Sequence, residues 1–453
     1  MTILISVVSF IVTIGVLISV HEFGHYWVAR KLGVKVLRFS IGFGRPLWAK
    51  IAGDDKTEYV IAAIPLGGYV KMLDEHEGEV DESEVHRAFN RKSLPRRAAI
   101  VAAGPLFNLL FAVFAYWIIF MVGIQGVKPV IGEVIPGSIA AQSGFQQGDQ
   151  ILKVSGEQTS TWGSASLALI NLVVSDSKSE ILVEDVGGQS RVLNLVNHSS
   201  KEVLRDNRLL ENLGVRPWRP RLDPILGEIV PGGAAARADL RVGDTVISAD
   251  GEHIADWGQW VEYVRARPGQ SIKLQVERDA TSVEVDLVPD HHQSKSGTIG
   301  RIGAIVVIPP DLFSGMRAEE RYSALPAMGV AVSKTWDMSL LMLRMLGKMI
   351  VGSASVDNIS GPISIAQYAG QTASVGFVPF MAFLAVISIS LGVLNLLPIP
   401  LLDGGHLFYY LIEAVRGKPL SIEVQAVGQR IGIAVLLVLM VFAFYNDFTR
   451  LMG

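Results

Sequence analysis

Cysteine is absent from this chain. No disulfide framework can hold it together, no thiolate can ligate a metal, and any metal must be held by His, Asp or Glu. Charge is sparse as well: Asp, Glu, Lys and Arg make up 18% of the 453 residues, and the formal net charge is −3. That imbalance is too weak to imply nucleic acid or another strongly charged partner. What replaces charge is apolar surface. Half of the residues are hydrophobic and the mean hydropathy is +0.38, the composition of a membrane protein with room for soluble domains beside its spans.

Four runs can cross a bilayer: residues 3–20, which carry no charge at all, then 98–122, 377–397 and 431–445, the last relying on its flanks. The first lacks the basic lead of a signal peptide and is expected to be retained. Basic residues gather after it (Arg30, Lys31, Lys35, Arg38, Arg45) and before the second run (Arg87, Arg91, Lys92, Arg96, Arg97), and Arg416, Lys418 and Arg430 follow the third. The positive-inside rule puts these connections in the cytoplasm. Both termini and the long segment between spans two and three then lie outside, which in a bacterium is the periplasmic side of the inner membrane.

The first span runs straight into His21-Glu22-Phe23-Gly24-His25. Two histidines four apart on a helix project from one face, so both imidazoles can reach one Zn²⁺, and the glutamate between them lies beside the water such a metal activates. His21 lies about 27 Å along a helix begun at residue 3, inside a hydrocarbon core about 30 Å thick. Ionisable groups there are costly, which makes function the default reading. The bland alternative is two surface histidines flanking a salt-bridging glutamate.

Two histidines leave a catalytic zinc one protein ligand short. His76, His86, His198, His253, His291 and His292 lie in polar segments and read as solvated. The cytoplasmic end of the third span reads Asn395-Leu-Leu-Pro398-Ile-Pro400-Leu-Leu-Asp403-Gly-Gly-His406. It offers Asp403 at a depth comparable to His25, with His406 as a rival nearer water. Pro398 and Pro400 interrupt the helix and free backbone polar groups that a substrate can use.

The cytoplasmic loop contains two apolar, glycine-punctuated, β-prone stretches, around Gly42-Phe43-Gly44 and from Glu58 to Lys71. They read either as a re-entrant sheet beside the metal site or as an ordinary soluble hairpin. In the first case a substrate can pair as an extended strand along Tyr59 to Met72, with Val60 to Ile64 as the expected pairing segment, Gly67 and Gly68 permitting the tight turn and Tyr69 beside them. In the second span, Pro105 of Gly104-Pro105-Leu-Phe-Asn108 frees a backbone carbonyl. Asn108 can satisfy it or reach a neighbouring helix, or the motif is a simple packing kink.

Between spans two and three the chain repeats itself. Gly132-Glu-Val-Ile-Pro-Gly-Ser-Ile-Ala-Ala141 matches Gly227-Glu-Ile-Val-Pro-Gly-Gly-Ala-Ala-Ala236, and Gly148-Asp149, Gly156-Glu157 and Trp162 recur as Gly243-Asp244, Gly251-Glu252 and Trp257, all offset by 95 residues. The two copies resemble PDZ domains, which take a peptide C-terminus as an added strand; used only as a size filter, they bind nothing specific. Residues 322–350 then read as an amphipathic helix at the outer membrane surface, or equally as a packed soluble one.

Taken together, HEFGH in a first span and Asn-x-x-Pro-x-Pro-x-x-Asp-Gly-Gly in a later one resemble the site-2 protease family of intramembrane zinc metalloproteases. Gly42-Phe43-Gly44, Gly104-Pro105 and the tandem PDZ-like copies extend the resemblance over essentially the whole chain. The resemblance implies one zinc on His21, His25 and Asp403, Glu22 as catalytic base, and Asn395 orienting the substrate. It also implies a membrane-embedded substrate of the anti-sigma-factor type, already shortened by another protease, or signal-peptide remnants. The expected fold is a multi-span α-helical membrane protein of four transmembrane helices, with a re-entrant β-hairpin region on the cytoplasmic side and two periplasmic PDZ-like α/β domains. Its expected parts are 1–30 (first span), 31–95 (cytoplasmic β loop), 96–124 (second span), 127–217 and 221–309 (PDZ-like), 317–370 (amphipathic helices), 377–405 (third span) and 428–447 (fourth span). Two rival classes are a non-enzymatic membrane peptide sensor with a structural metal, and, less well supported, a transporter.

Overall fold

A computed structural model describes residues 2–175, 180–195, 203, 208–294, 297–312, 314–352 and 360–452; His198 lies outside them. Among the described residues, four helices are long and apolar enough to cross a membrane. These are α1 (Thr2–Lys31), α2 (Leu94–Val122), the third span Phe377–Leu396 and the fourth span Ile422–Met452. The third helix stops at Leu396, short of the expected 405, because Pro398 and Pro400 cannot continue it. The chain turns through residues 397–402 and restarts as the helix Asp403–Arg416.

Small residues set how closely these helices pack, as is usual where lipid gives no hydrophobic drive between them. Ala112 and Ala115 of α2 meet Ala385 and Ile389 of the third span, and Ala327 and Ala331 of the helix Ala324–Ile350 complete that cluster. A Cβ on Gly392 would sit 3.0 Å from the carbonyl of Pro105, so the third span lies directly on the proline of α2. The fourth span is peripheral, with Val435, Leu437, Val438 and Val441 exposed. Near its end Asp447, 1% exposed, accepts from the amides of Gly361 (3.0 Å) and Ile363 (2.9 Å) and from Ser364. It thereby caps the helix Pro362–Val375 from another element.

Between α1 and α2 lie the long strands β1 (Val36–Ala52) and β2 (Thr57–Met72). Their tip is at Gly53 and Lys56, both with positive φ. The pairing is not that of a simple hairpin. Residues 38–41 pair with 68–71 on one side and with 58–61 on the other, while 46–52 pairs with 57–62. Each strand therefore doubles back, β1 after Gly44 and β2 around Pro65 to Gly67. Gly67 is required there, since a Cβ would overlap the ring of Phe43. Residues 68–72 are left as a sheet edge, and among the described residues no other strand pairs with it.

The two repeats fold alike into small antiparallel units consistent with PDZ-like domains. Each has a four-stranded sheet of the same order, centred on Gln150–Val154 and on Thr245–Ala249, with a helix (Trp162–Ser175, Trp257–Arg265) against it. In each, the first strand pairs with one from the C-terminal end of the unit: Ile131–Val134 with Val215–Pro217, and Leu226–Ile229 with Ala304–Val306. Outside the repeats, Ile124–Val127 pairs with Arg317–Glu320, so the inserted segment leaves and rejoins the membrane unit at one place. The helix Ala324–Ile350 bridges the two parts: beyond Ala331 it inserts Leu341 into the core of the first repeat.

The Gly-Asp turns of the repeat owe their recurrence to a buried carboxylate. Asp244, 1% exposed, accepts from the Arg241 amide at 2.8 Å and from Arg278 through Nε (2.8 Å) and Nη2 (2.7 Å); Asp149 accepts likewise from the Gln146 amide, and from Arg191 through Nη2. Burial pushes the Asp244 carboxyl up, but the Arg278 guanidinium and the amide outweigh it and hold its pKa below the ordinary value. A carboxylate with a depressed folded pKa stabilises fully above its unfolded pKa and loses that contribution as pH falls through the folded value. Asp244→Ala removes the buried acceptor of Arg278, which keeps the Asp239 carbonyl at 2.8 Å, and should cost the second repeat about 1–3 kcal/mol. Hydrogen exchange on the full-length protein checks this: residues 245–287 should lose protection selectively in the variant. In the unaltered protein the same segment should lose protection below about pH 4.

Candidate metal centre

While Glu22 faces β2 at Gly68, the C-terminal half of α1 brings the rings of His21 and His25 onto the side facing α2. Their Nε2 atoms stand 3.2 Å apart, and Asp403 Oδ2 lies 3.2 Å from His21 Nε2 and 3.6 Å from His25 Nε2. With bonds of about 2.0–2.1 Å, ligand atoms at the corners of a tetrahedron are separated by about 3.3 Å. The triangle of donors therefore fits one tetrahedral ion with its fourth position free, and the two-imidazole, one-carboxylate set suits zinc.

Asp403 reaches this triangle from a separate element. It opens its helix after Leu401, whose φ of 102° is a conformation that non-glycine residues rarely adopt. Gly404 and Gly405 follow because there is no room for anything larger: a Cβ on either would run into the carbonyls of Leu397 or Ile399. The Asp-Gly-Gly run thus folds its own turn tightly enough to aim the carboxylate at α1. His406, the rival from sequence, lines the same cavity but stands outside the donor triangle.

α2 closes the centre from the far side. A Cβ on Gly104 would collide with His25 Nε2, and one on Gly24 would press on the backbone of Ala103, so this glycine pair alone lets the two helices approach. The approach supplies partners for the outer ring nitrogens. His25 Nδ1 donates to the carbonyl of Ile100 at 2.8 Å, which leaves Nε2 with a lone pair for a metal. His21 Nδ1 faces the side-chain amide of Asn108 at 3.2 Å.

A cavity of about 330 Å³ opens on the centre, lined among others by Glu22, Gly68, Tyr69, His406 and Tyr410. Glu22 is in the cavity and outside the donor triangle, where a base belongs. A Cβ on Gly68 would lie 3.0 Å from Glu22 Cγ, so the free edge of the curled sheet runs directly past this side chain. Gly67 sits one residue away beneath Phe43. Asn395 is half-buried on the third span, and neither it nor Pro398 or Pro400 lines this cavity. A larger cavity, about 690 Å³, lies in the second repeat beside Trp257, Val261 and Val264, and shares no residue with the metal centre. The tight packing roles of Gly24 and Gly104 escape a reading of the sequence; for Asn108 the expected reach to a neighbouring helix is found, though not its partner His21. The one signal for that partner is the spacing of Asn108, one helical turn after Gly104.

Comparison with known proteins agrees with this geometry. The model of peptidase family M50 matches residues 9–439. The regulator of sigma-E protease RseP of Escherichia coli is 44% identical over 449 residues, covering 98% of both chains. A putative zinc metalloprotease of Neisseria meningitidis is 42% identical, covering 99% of this chain and all of its own, and the regulator of sigma E protease of Haemophilus influenzae is 41% identical over the whole of both. Among solved structures, the PDZ domain of an SdrC-like protein from Listeria monocytogenes is 20% identical over 20% of this chain and 94% of its own, with a TM-score of 0.17. The family match spans both halves of the metal centre, and the chain belongs to peptidase family M50 as an intramembrane zinc metalloprotease.

Proposed function

We propose that one zinc ion is held by His21 Nε2, His25 Nε2 and Asp403, and that Glu22 is the catalytic base for hydrolysis of peptide bonds within transmembrane segments of single-pass proteins. The observation that carries this is the donor triangle with edges of 3.2, 3.2 and 3.6 Å beside a glutamate that shares its cavity but not its ligation. When bound, zinc supplies Lewis acidity to a carbonyl oxygen and to water. Glu22 takes the proton of the attacking water and returns it to the departing amide nitrogen as the C–N bond breaks. A closed structural site, as in the receptor alternative, needs four protein ligands; among the described residues three converge here.

A helix satisfies its own backbone, so a bond inside it is exposed only when several hydrogen bonds are surrendered in a medium that offers none. Residues 68–72 supply replacements. They form a sheet edge, and Gly68 and Tyr69 line the cavity with Glu22. On this reading the substrate is received as an added strand along that edge, within the membrane, and the β1–β2 sheet is re-entrant. Asn395, Pro398 and Pro400 act on the other flank, orienting the substrate beside the broken third span.

The relatives named as regulators of sigma-E protease suggest the substrate class: an anti-sigma-factor-type membrane protein already trimmed on its outer side. The basic clusters flanking the spans support an inner-membrane orientation with the metal centre near the cytoplasm and both termini and repeats in the periplasm. Exclusion of untrimmed substrates suits both repeats. The apolar groove of the second, between its helix and residues 299–305, also suits an extended peptide C-terminus.

Glu22→Gln should retain zinc and lower cleavage of a membrane-embedded test substrate by about 10²–10⁴-fold; turnover near that of the unaltered protein would remove the base from Glu22. Zinc content separates the third-ligand candidates: Asp403→Ala should lose the metal and His406→Ala keep it, and the reverse pattern would replace Asp403. For the sheet edge, single prolines across Tyr69, Val70 and Lys71 should slow cleavage at the positions whose amide faces the substrate, with zinc retained. Because the chain has no cysteine, a Tyr69→Cys variant can be crosslinked to substrate cysteines near the cut. Crosslinks to α2 or the fourth span but never to this edge would exclude strand addition.

A further inference from the structure

Asn108 is fully buried on α2, and its Nδ2 lies 3.2 Å from His21 Nδ1 while its Oδ1 has no partner. The two ends of an amide have the same shape, so which end faces the ring is decided by hydrogen bonding. A ring that ligates through Nε2 must carry its proton on Nδ1, and an N–H needs an acceptor. An amide nitrogen cannot accept it. Asn108 holding its Nδ2 toward His21 would instead favour the tautomer with the proton on Nε2, which cannot ligate. One end of the amide lacks a protein partner in either orientation, so a count of hydrogen bonds does not choose between them. The ring's tautomer does.

We infer that Asn108 is a positioning residue of the metal centre: its carbonyl oxygen accepts from His21 Nδ1–H and fixes the ring with Nε2 aimed at the metal. The inference rests on His21 being a ligand, as proposed above. It gives the two imidazoles matching supports from one helix, the Ile100 carbonyl for His25 and the Asn108 side chain for His21. The placement of Asn108 is itself supported. Ser388 Oγ of the third span donates to its backbone carbonyl at 2.7 Å, and Pro105 three residues earlier is packed by Gly392 of the same span. Asn108 thus links the ligand-bearing α1 to the span that leads into Asp403.

The test measures zinc affinity of the full-length protein in detergent, by competition with a chromophoric chelator, for Asn108→Leu and Asn108→Asp. Leucine keeps the bulk and removes the acceptor; aspartate keeps the acceptor. Asn108→Leu should bind zinc about 10–100-fold more weakly, the usual effect of losing such an outer partner, and Asn108→Asp should remain near the unaltered protein. Equal affinity in Asn108→Leu, or equal loss in both variants, overturns the inference. If Asn108→Leu does not fold, Asn108→Asp decides alone: retained affinity with an unchanged cobalt(II) ligand-field spectrum supports the role, and lost affinity overturns it. Zinc bound by the unaltered protein separates the two levels. If it binds no zinc, the ligand assignment fails; if it binds one and Asn108→Leu holds it equally well, only the role of Asn108 fails.

Discussion

The close approach of α1 and α2 at Gly24 and Gly104 is the constraint on which the centre depends. The two imidazoles and Asp403 are largely buried at the ends of membrane-spanning helices, so most of their polar atoms need a partner from the protein or a metal. A larger residue at either glycine would hold the helices apart. The carbonyl of Ile100 and the amide of Asn108 would then be out of reach of the rings, and Asp403 would face a pair of histidines free to turn. The same logic holds on the other flank, where Gly404 and Gly405 let the chain turn sharply enough for Asp403 to arrive from beyond the third span. Glycine at these four positions is an absence of side chain that makes room for chemistry.

Much of this was legible in the sequence, and the boundary of legibility is physical. The HEFGH run carries its meaning locally: helix periodicity alone brings His21 and His25 together, and the charge-free residues before them set the depth. The repeat was readable because the buried Asp149 and Asp244 must each recur with the same turn. Asp403 stood out over His406 through its depth together with the resemblance to the site-2 protease motif, not through depth alone. What was not legible depends on how distant segments are set against one another. Asn108 meets His21 only at the height at which α2 crosses α1. The doubling back of β1 and β2, which leaves residues 68–72 as the edge, follows from non-local pairing that strand propensity does not encode. The break at Pro398 and Pro400 was legible, but not the strained Leu401 that redirects the chain into the helix of Asp403.

The centre is assembled from elements that are each held elsewhere. The sheet edge is anchored by pairing with residues 38–41, the third span by its seat on Pro105, and the fourth span by Asp447 capping a separate helix. Only the cavity itself is left open, with Glu22, Gly68 and Tyr69 on its walls. A rigid surround with an open, partly β-lined floor suits a reaction whose substrate must lose its helix on arrival. The protein's own groups are then already placed when the substrate backbone comes free.

The strand pair of Ile124–Val127 with Arg317–Glu320 has a mechanical consequence. Because the inserted repeats begin and end side by side, a pull on either one converges on a single junction at the outer end of α2. The helix Ala324–Ile350, packed along α2 and into the first repeat, stiffens that junction. That junction adjoins the C-terminal end of α2, and Asn108 lies about 21 Å along the same helix. The outer domains and the histidine supports are therefore in series on one element.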